Sequence, residues 1–298
     1  MSRVGLVLGA GGVTGDAFHR GVLRALYRAG YDARRADVIV GTSAGSMVGA
    51  FLRRPELRRA GVRGETVHGE RLGRLPDLAP LLATVRRPWQ ARAGVVLTSF
   101  LPTGRRSTEF LVSGIRDRHG SDWPERPLYV CAVRRRDGKR VVFGRDEGTS
   151  PDLARAVAAS CAIPGYFHPI EIDGEVYVDG GVHSPTNADV LRDCDLDVLI
   201  VSSPMSVAPR ELRPTLDLPL RLHAHRYLQR EVAPYRKRGT AVLTFEPGGE
   251  LLQVMGVNPL HGARIDEIEK ASYRRARAAL EAHGDVADRL GEDGRRTA

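Results

Sequence analysis

The feature that most constrains this chain is Gly41-Thr42-Ser43-Ala44-Gly45, set between the aliphatic run Val38–Val40 and a helix-period series of Met47, Val48, Phe51 and Leu52. A GxSxG sequence at a strand-to-helix junction is a nucleophile elbow: the chain turns so sharply that side chains at the flanking positions would collide, and the serine is lifted clear of the sheet. That geometry needs a strand with an open carboxyl end and a helix returning over the sheet, which selects a parallel α/β architecture. A similar unit precedes it. Val4–Leu8 is a short aliphatic run broken by Gly9, Gly11, Gly12 and Gly15, after which Phe18, Val22, Leu23 and Leu26 recur at helical spacing.

Downstream, Leu128–Val133 and Val141–Phe143 flank Asp137-Gly138 as a hairpin, and Asp152–Cys161 reads as a helix. Ile170–Val178 is two alternating runs around Asp173-Gly174, a second hairpin, and it delivers the chain into Asp179-Gly180-Gly181. Leu196–Val201 and Ala241–Phe245 are aliphatic strands of the buried kind, and a long helix spans about residues 263–283. Between Arg53 and Pro127 regularity falls, apart from an amphipathic stretch at Leu78, Leu81, Leu82, Val85 and Trp89. An inserted helical cap over residues 55–125 is expected there. At 298 residues the chain reads as one catalytic domain over residues 1–290 with a flexible tail at 291–298.

The formal charge of +9 favours anionic surfaces such as lipid headgroups, nucleic acid or acidic partners. No C2H2 finger, RNP aromatic motif or heptad-plus-basic region accompanies it, which argues against nucleic acid, and a coding bias toward arginine explains the excess equally well. Cys131, Cys161 and Cys194 are odd in number and lack CxxC spacing, so neither a disulfide framework nor a metal site is expected and a reducing compartment is. The amino-terminal residues enter the first strand with no room for a signal h-region, and no segment reaches the ~18 apolar residues of a membrane span. The expected location is cytoplasmic, with peripheral contact to an anionic membrane left open.

Gly9-Ala10-Gly11-Gly12-Val13-Thr14-Gly15 follows a strand and opens a helix, so its amides converge where negative charge is stabilised. A dinucleotide fingerprint is one reading. It requires an acidic residue at the end of the second strand, however, whereas Asp37 lies at that strand's beginning and GTSAG stands at its end. An oxyanion hole suits the position better. For Ser43 to act as a nucleophile it needs a base. His183, His223, His225 and His261 could complete a triad, but the elbow falls on the second strand, too early for an α/β-hydrolase, and no histidine stands in a loop that singles it out. Asp179 directly follows a strand and precedes two glycines that let the backbone bend close to a neighbouring loop. Asn187, after Ser184-Pro185-Thr186, reads first as a helix N-cap and second as a brace for the Asp179 loop.

Four ordered blocks now stand together: Val4 through Gly15, Gly41 through Gly45, Ala159-Ser160-Cys161-Ala162-Ile163-Pro164 with Phe167 and Pro169, and Val178-Asp179-Gly180-Gly181. In this order they resemble the patatin-like phospholipase family. The resemblance implies a three-layer α/β/α patatin-like fold with a mainly parallel central sheet and an inserted helical cap. It implies a Ser43–Asp179 dyad without histidine and an oxyanion hole at Gly11 and Gly12 most directly, with Val13 beside them. Gly9, Gly15, Gly41, Gly45, Gly180 and Gly181 support those motifs. The expected chemistry is hydrolysis of lipid acyl esters, of phospholipase A or lysophospholipase type, with no cofactor and no metal. An acyltransferase on the same dyad and a non-catalytic membrane-binding protein are the alternatives, and a nicotinamide-dependent oxidoreductase is the weakest. The family loop usually reads GGGxRG or GGGxKG. Here Ala10 replaces the first glycine and Thr14 stands at the basic position, so the backbone donors survive and a positive charge is lost.

Overall fold

Strands buried on both faces organise the structure, a computed structural model that describes residues 2–54, 104, 106–146, 148, 151–208, 211–212, 214–284 and 290. Among the described residues there are eight strands: β1 (Val4–Leu8), β2 (Val38–Thr42), β3 (Leu128–Arg134), β4 (Arg140–Phe143), β5 (Ile170–Ile172), β6 (Glu175–Asp179), β7 (Val198–Ser202) and β8 (Ala241–Phe245). They form one sheet in the order β5-β6-β3-β2-β1-β7-β8, with β4 also paired to β3. β3, β2, β1, β7 and β8 run parallel to their neighbours, while β4 and β6 are antiparallel to β3 and β5 is antiparallel to β6.

Among the described residues the helices are α1 (Gly12–Arg28), α2 (Ala44–Leu52), α3 (Glu109–His119), α4 (Leu153–Ser160), α5 (Leu218–Lys237), α6 (Glu250–Met255) and α7 (Ile265–Ala282). Alternation along the strands divides the core in two. Leu6, Leu8, Ile39, Val198 and Ile200 face a cluster built with α1, α2, α4 and α7, including Phe18, Val48, Val157 and Leu280. Val7, Val38, Val40, Leu199 and Val201 point the other way, onto Leu228, Val232 and Tyr235 of α5 and Leu191. Helices therefore cover both faces in a three-layer α/β/α arrangement, which is why β1, β2 and β7 are buried at every position.

Both expected hairpins form, and at the tip of the second Asp173 and Gly174 take φ of 51° and 76°, as an Asp-Gly turn demands. The cap stretch Leu78–Trp89 and the tail at 291–298 lie outside the described residues; of the cap region, α3 is described. No helix among the described residues is long and apolar enough to cross a membrane.

The register brings the ends of three strands level, since Leu8 pairs with Gly41 on one side and with Ser202 on the other. The order also reverses at β1, with β2 laid to one side and β7 to the other, the switch point where open α/β sheets bind ligands. α2 returns so closely that a Cβ on Gly45 would lie 2.0 Å from the carbonyl oxygen of Leu8 and 2.8 Å from its Cβ. Because that obstacle is strand backbone, it cannot rotate aside. Gly45→Ala should therefore destabilise the fold by about 3 kcal/mol or more, a fall in melting temperature of roughly 6–12 °C in thermal denaturation. An unchanged melting temperature would refute the close approach.

Candidate active site

Ser43 occupies the point of the turn between β2 and α2, with φ 53° and ψ −123°. A residue with a Cβ rarely holds this conformation, which costs about 1–3 kcal/mol and persists when neighbours over-determine it. Here they do. The Ser43 amide donates to the Ser160 hydroxyl at 2.9 Å, and that hydroxyl donates onward to the carbonyl of Cys131 at 2.6 Å. The Ser43 carbonyl accepts from the Ser46 amide at 2.8 Å and the Ser46 hydroxyl at 2.7 Å. A Cβ on Gly41 would meet the Ser46 Cα at 2.5 Å, so the tight return of the chain requires glycine there.

Asp179 arrives from the opposite direction. β2 pairs with residues 128–131 of β3 and β6 with residues 132–134, while β4 pairs with residues 130–133 and so overlaps both. A strand has two edges, so β2 and β6 must lie end to end along the same edge of β3. Their tips, Thr42 opposite Cys131 and Asp179 opposite Ala132, face each other. The Ser43 side chain approaches the Asp179 carboxylate closely enough to lower its pKa, and Oδ1 of that carboxylate accepts from the Gly181 amide at 2.7 Å. Burial pushes the Asp179 pKa up to about 6, and those two contacts offset only part of the rise. The Asp179 amide donates to the Ala162 carbonyl at 3.0 Å. The Cys161 thiol also reaches Ser43 and lies 3.9 Å from the Ser46 hydroxyl; burial drives its pKa upward, which keeps it a neutral thiol.

The glycine loop leaves β1 at the same edge. The Gly9 amide donates to the Ser202 carbonyl at 2.9 Å and the Ala10 amide to the Pro185 carbonyl at 2.7 Å. His19, fully buried in α1, reaches back beneath the loop, its Nε2 2.8 Å from the Gly9 carbonyl and its Nδ1 2.7 Å from the Ser202 hydroxyl. A carbonyl can only accept, so Nε2 carries the proton and Nδ1 receives the Ser202 hydroxyl. Burial lowers the His19 pKa to about 4, so the ring stays neutral at physiological pH. The Gly11 carbonyl is fixed by the Gly15 amide at 2.8 Å and the Thr14 hydroxyl at 3.3 Å. Since C=O and N–H of a trans peptide point in opposite directions, this directs the Gly12 N–H away from the helix body. Among the described residues the amides of Gly11, Gly12 and Val13 have no acceptor, while that of Thr14 is taken by the Pro259 carbonyl at 3.0 Å. Three free donors thus open the amino terminus of α1, an environment that favours an anion.

Asn187 corrects the first sequence reading. It precedes a 3-10 turn at Ala188–Leu191 but makes no side-chain cap; its Nδ2 donates instead to Thr42 Oγ1 at 3.0 Å, to the Ser184 carbonyl at 2.7 Å and to the Gly180 carbonyl at 3.4 Å. Its Oδ1 accepts from Arg140, which is clasped by both carboxylate oxygens of Asp189 at 2.6 and 2.8 Å. Asn187 thereby ties the end of β2 to the turn after Asp179. Ser160 and His19 are the supporting groups to which sequence reading gave no such part, while Asn187 takes the bracing part that was its second reading. Nothing local marks a serine at a helix end or a histidine within a helix as the partner of a loop more distant in sequence. Of the histidines weighed as bases, His225 bonds Glu246 at 2.7 Å and His223 packs against Tyr227.

A family model described as Patatin-like phospholipase matches residues 6–192. Uncharacterized NTE family proteins of Mycobacterium bovis and Mycobacterium tuberculosis are 31% identical over 204 residues, which is 67% of this chain and 49% of theirs. The chain thus spans about half the length of these curated relatives. The crystal structure of VipD from Legionella pneumophila is similar with a TM-score of 0.44 at 15% identity, over 95% of this chain and 67% of that one. With the matched region running from β1 to the turn beyond Asp179, the chain belongs to the patatin-like phospholipase family.

Proposed function

We propose that the protein is a serine acyl-ester hydrolase acting on lipids, of phospholipase A or lysophospholipase type, with Ser43 as nucleophile and Asp179 as its base. The observation that carries this reading is the placing of Ser43, held at the elbow, against the buried Asp179 carboxylate where the ends of β2 and β6 meet, beside three unclaimed amides. In the proposed reaction Ser43 Oγ attacks the ester carbonyl carbon while Asp179 takes its proton. The negative charge moves to the carbonyl oxygen, where the amides of Gly11, Gly12 and Val13 meet it; such a donor typically contributes about 3–4 kcal/mol. The intermediate collapses as protonated Asp179 gives its proton to the departing alcohol. Water, deprotonated by the same carboxylate, then releases the acid from Ser43.

Ser43→Ala should abolish both ester hydrolysis and labelling by a fluorophosphonate probe, while His183→Ala, His223→Ala and His225→Ala retain most of the wild-type rate on p-nitrophenyl butyrate. Loss of turnover in a correctly folded histidine variant would replace the dyad by a triad.

The pH dependence has a defined sign. Asp179 must be ionised to accept a proton, and its pKa is raised to about 6, so kcat/KM should be level above that pH and fall tenfold per unit below it. A limb near the ordinary carboxylate value of 3.8 would show that Asp179 is not the titrating base.

Ser160 is proposed as a positioning residue. Ser160→Ala leaves the buried Ser43 amide without an acceptor, at a cost of about 1–3 kcal/mol, and lets the elbow relax away from Asp179. Moving the Ser43 side chain away removes a contact that holds the Asp179 pKa down, so kcat should fall and the acid limb should move to higher pH. Ser160→Thr, which keeps the hydroxyl, should restore both in part. A lowered melting temperature with an unmoved acid limb would mean that Ser160 serves the fold alone.

A further inference from the structure

Exposed large apolar side chains are unevenly placed on this molecule. Among the described residues they are Tyr27, Phe110, Leu212, Leu216, Leu220 and Val257. Leu212, Leu216 and Leu220 follow β7, and Val257 follows β8, so all four lie on connections that leave the carboxyl edge of the parallel strands. This is the edge that carries Ser43 and the glycine loop. Leu216 is 91% exposed and Leu220 57%, far beyond the incidental exposure of a leucine on a helix shoulder.

Side-chain and backbone contacts tie both segments to the site. Arg221, one residue past Leu220, is paired with Asp217 at 2.5 Å and donates to the Pro204 carbonyl at 2.9 Å. Pro204 in turn is the residue that a Cβ on Gly11 would strike, at 2.9 Å. Two residues past Val257, Pro259 accepts from the Thr14 amide at the start of α1, and the Leu260 side chain crowds Gly12. Phe110 belongs to the same side, its ring tilted against that of Phe167, 5.8 Å between centroids, in the loop that leads from Ser160 toward Asp179. Tyr27 is the exception, because it lies at the far end of α1, about 22 Å along the helix from Gly12.

We propose that this rim, centred on Leu212, Leu216, Leu220 and Val257, docks on a lipid surface and presents Ser43 to esters at the headgroup boundary. It rests on the hydrolase reading for its choice of occupant: an ester of a membrane lipid lies at the boundary between headgroup and acyl chain, so its hydrolase must seat the mouth of its site there. Apolar side chains inserted a few ångströms supply that seat, with a strength that scales with the apolar area they bury. Arg221 is buried, Asp217 is partly so, and the two are paired with each other, so that pair sets no unpartnered charge against the acyl region.

The test uses the full chain with vesicles of phosphatidylcholine and phosphatidylglycerol in equal parts. Cosedimentation is measured for the wild type, the double variant Leu216→Asp/Leu220→Asp, Val257→Asp, and Tyr27→Asp as the control on the opposite edge. Removing two partly inserted leucines should lower vesicle partitioning by about ten- to a hundredfold. Val257→Asp should lower it less, and Tyr27→Asp should leave it unchanged. Fluorophosphonate labelling in the absence of lipid and the melting temperature should not move in any of them. The proposal is overturned if the wild type does not partition, or if the double variant partitions within about twofold of it. It is equally overturned if labelling falls in step with partitioning, or if gel filtration without lipid shows a wild-type dimer that the variants dissociate, since the rim would then be a contact between copies. A wild type that partitions with this leucine dependence yet resists labelling would support the docking face and sink the hydrolase reading, so the two fail separately.

Discussion

β3 is longer than the strand beside it, and the site depends on that mismatch. β2 stops at Thr42, opposite Cys131, and β6 takes up the same edge at Ala132 from the other direction. Ser43 and Asp179, far apart in sequence, are therefore set by ladder hydrogen bonds on one shared strand. The Cys131 carbonyl is the common reference: it accepts from Ser160, which holds the Ser43 amide, and it lies 2.2 Å from where a Cβ on Gly180 would stand. Backbone in a central sheet is among the stiffest parts of a fold, so the strain at Ser43 is held by something that does not yield. Loops could place the same two side chains together, but they would not hold a φ of 53° at a serine against relaxation.

How much of this was legible follows from whether the signal was local. Strands buried on both faces announce themselves as aliphatic runs, and the glycines of the elbow mark a close approach whose other side, Leu8, is three dozen residues away yet predictable from parallel pairing. The Asp-Gly hairpin was legible because two successive positive φ values restrict the residues that fit. α5 escaped the reading for a physical reason. Pro219 and Pro234 interrupt its pattern, and its buried face includes Arg221 and Glu231, polar groups satisfied by Pro204, Thr186 and Ala188. A helix whose buried side is partly charged shows no apolar stripe until its partners are in place. Asn187 was legible only in part, because the residues it serves, Thr42 and Gly180, are supplied by tertiary pairing, while the local pattern put a cap ahead of the brace.

Thr14 ties one of the sequence's two departures from the family loop to the electrostatics of the proposed base. A carboxylate is a poor base for an alcohol at its ordinary pKa, and this fold raises the pKa of Asp179 by desolvation alone. The two groups that pull it back, the Ser43 hydroxyl and the Gly181 amide, are neutral, and no cation is among them. An arginine or lysine at position 14 would bring a positive charge to the loop that touches Gly181 through Ala10, and it would favour the ionised, less basic carboxylate. A threonine there instead uses its hydroxyl to hold the Gly11 carbonyl, which keeps the Gly12 amide directed outward without adding charge. His19 follows the same logic from below: neutral and fully buried, it fixes the Gly9 carbonyl by a hydrogen bond and contributes no field that would lower the basicity of Asp179. Anion binding is thus left to backbone dipoles and basicity to burial. The two requirements, which a nearby cation would set against each other, are met by separate parts of the structure.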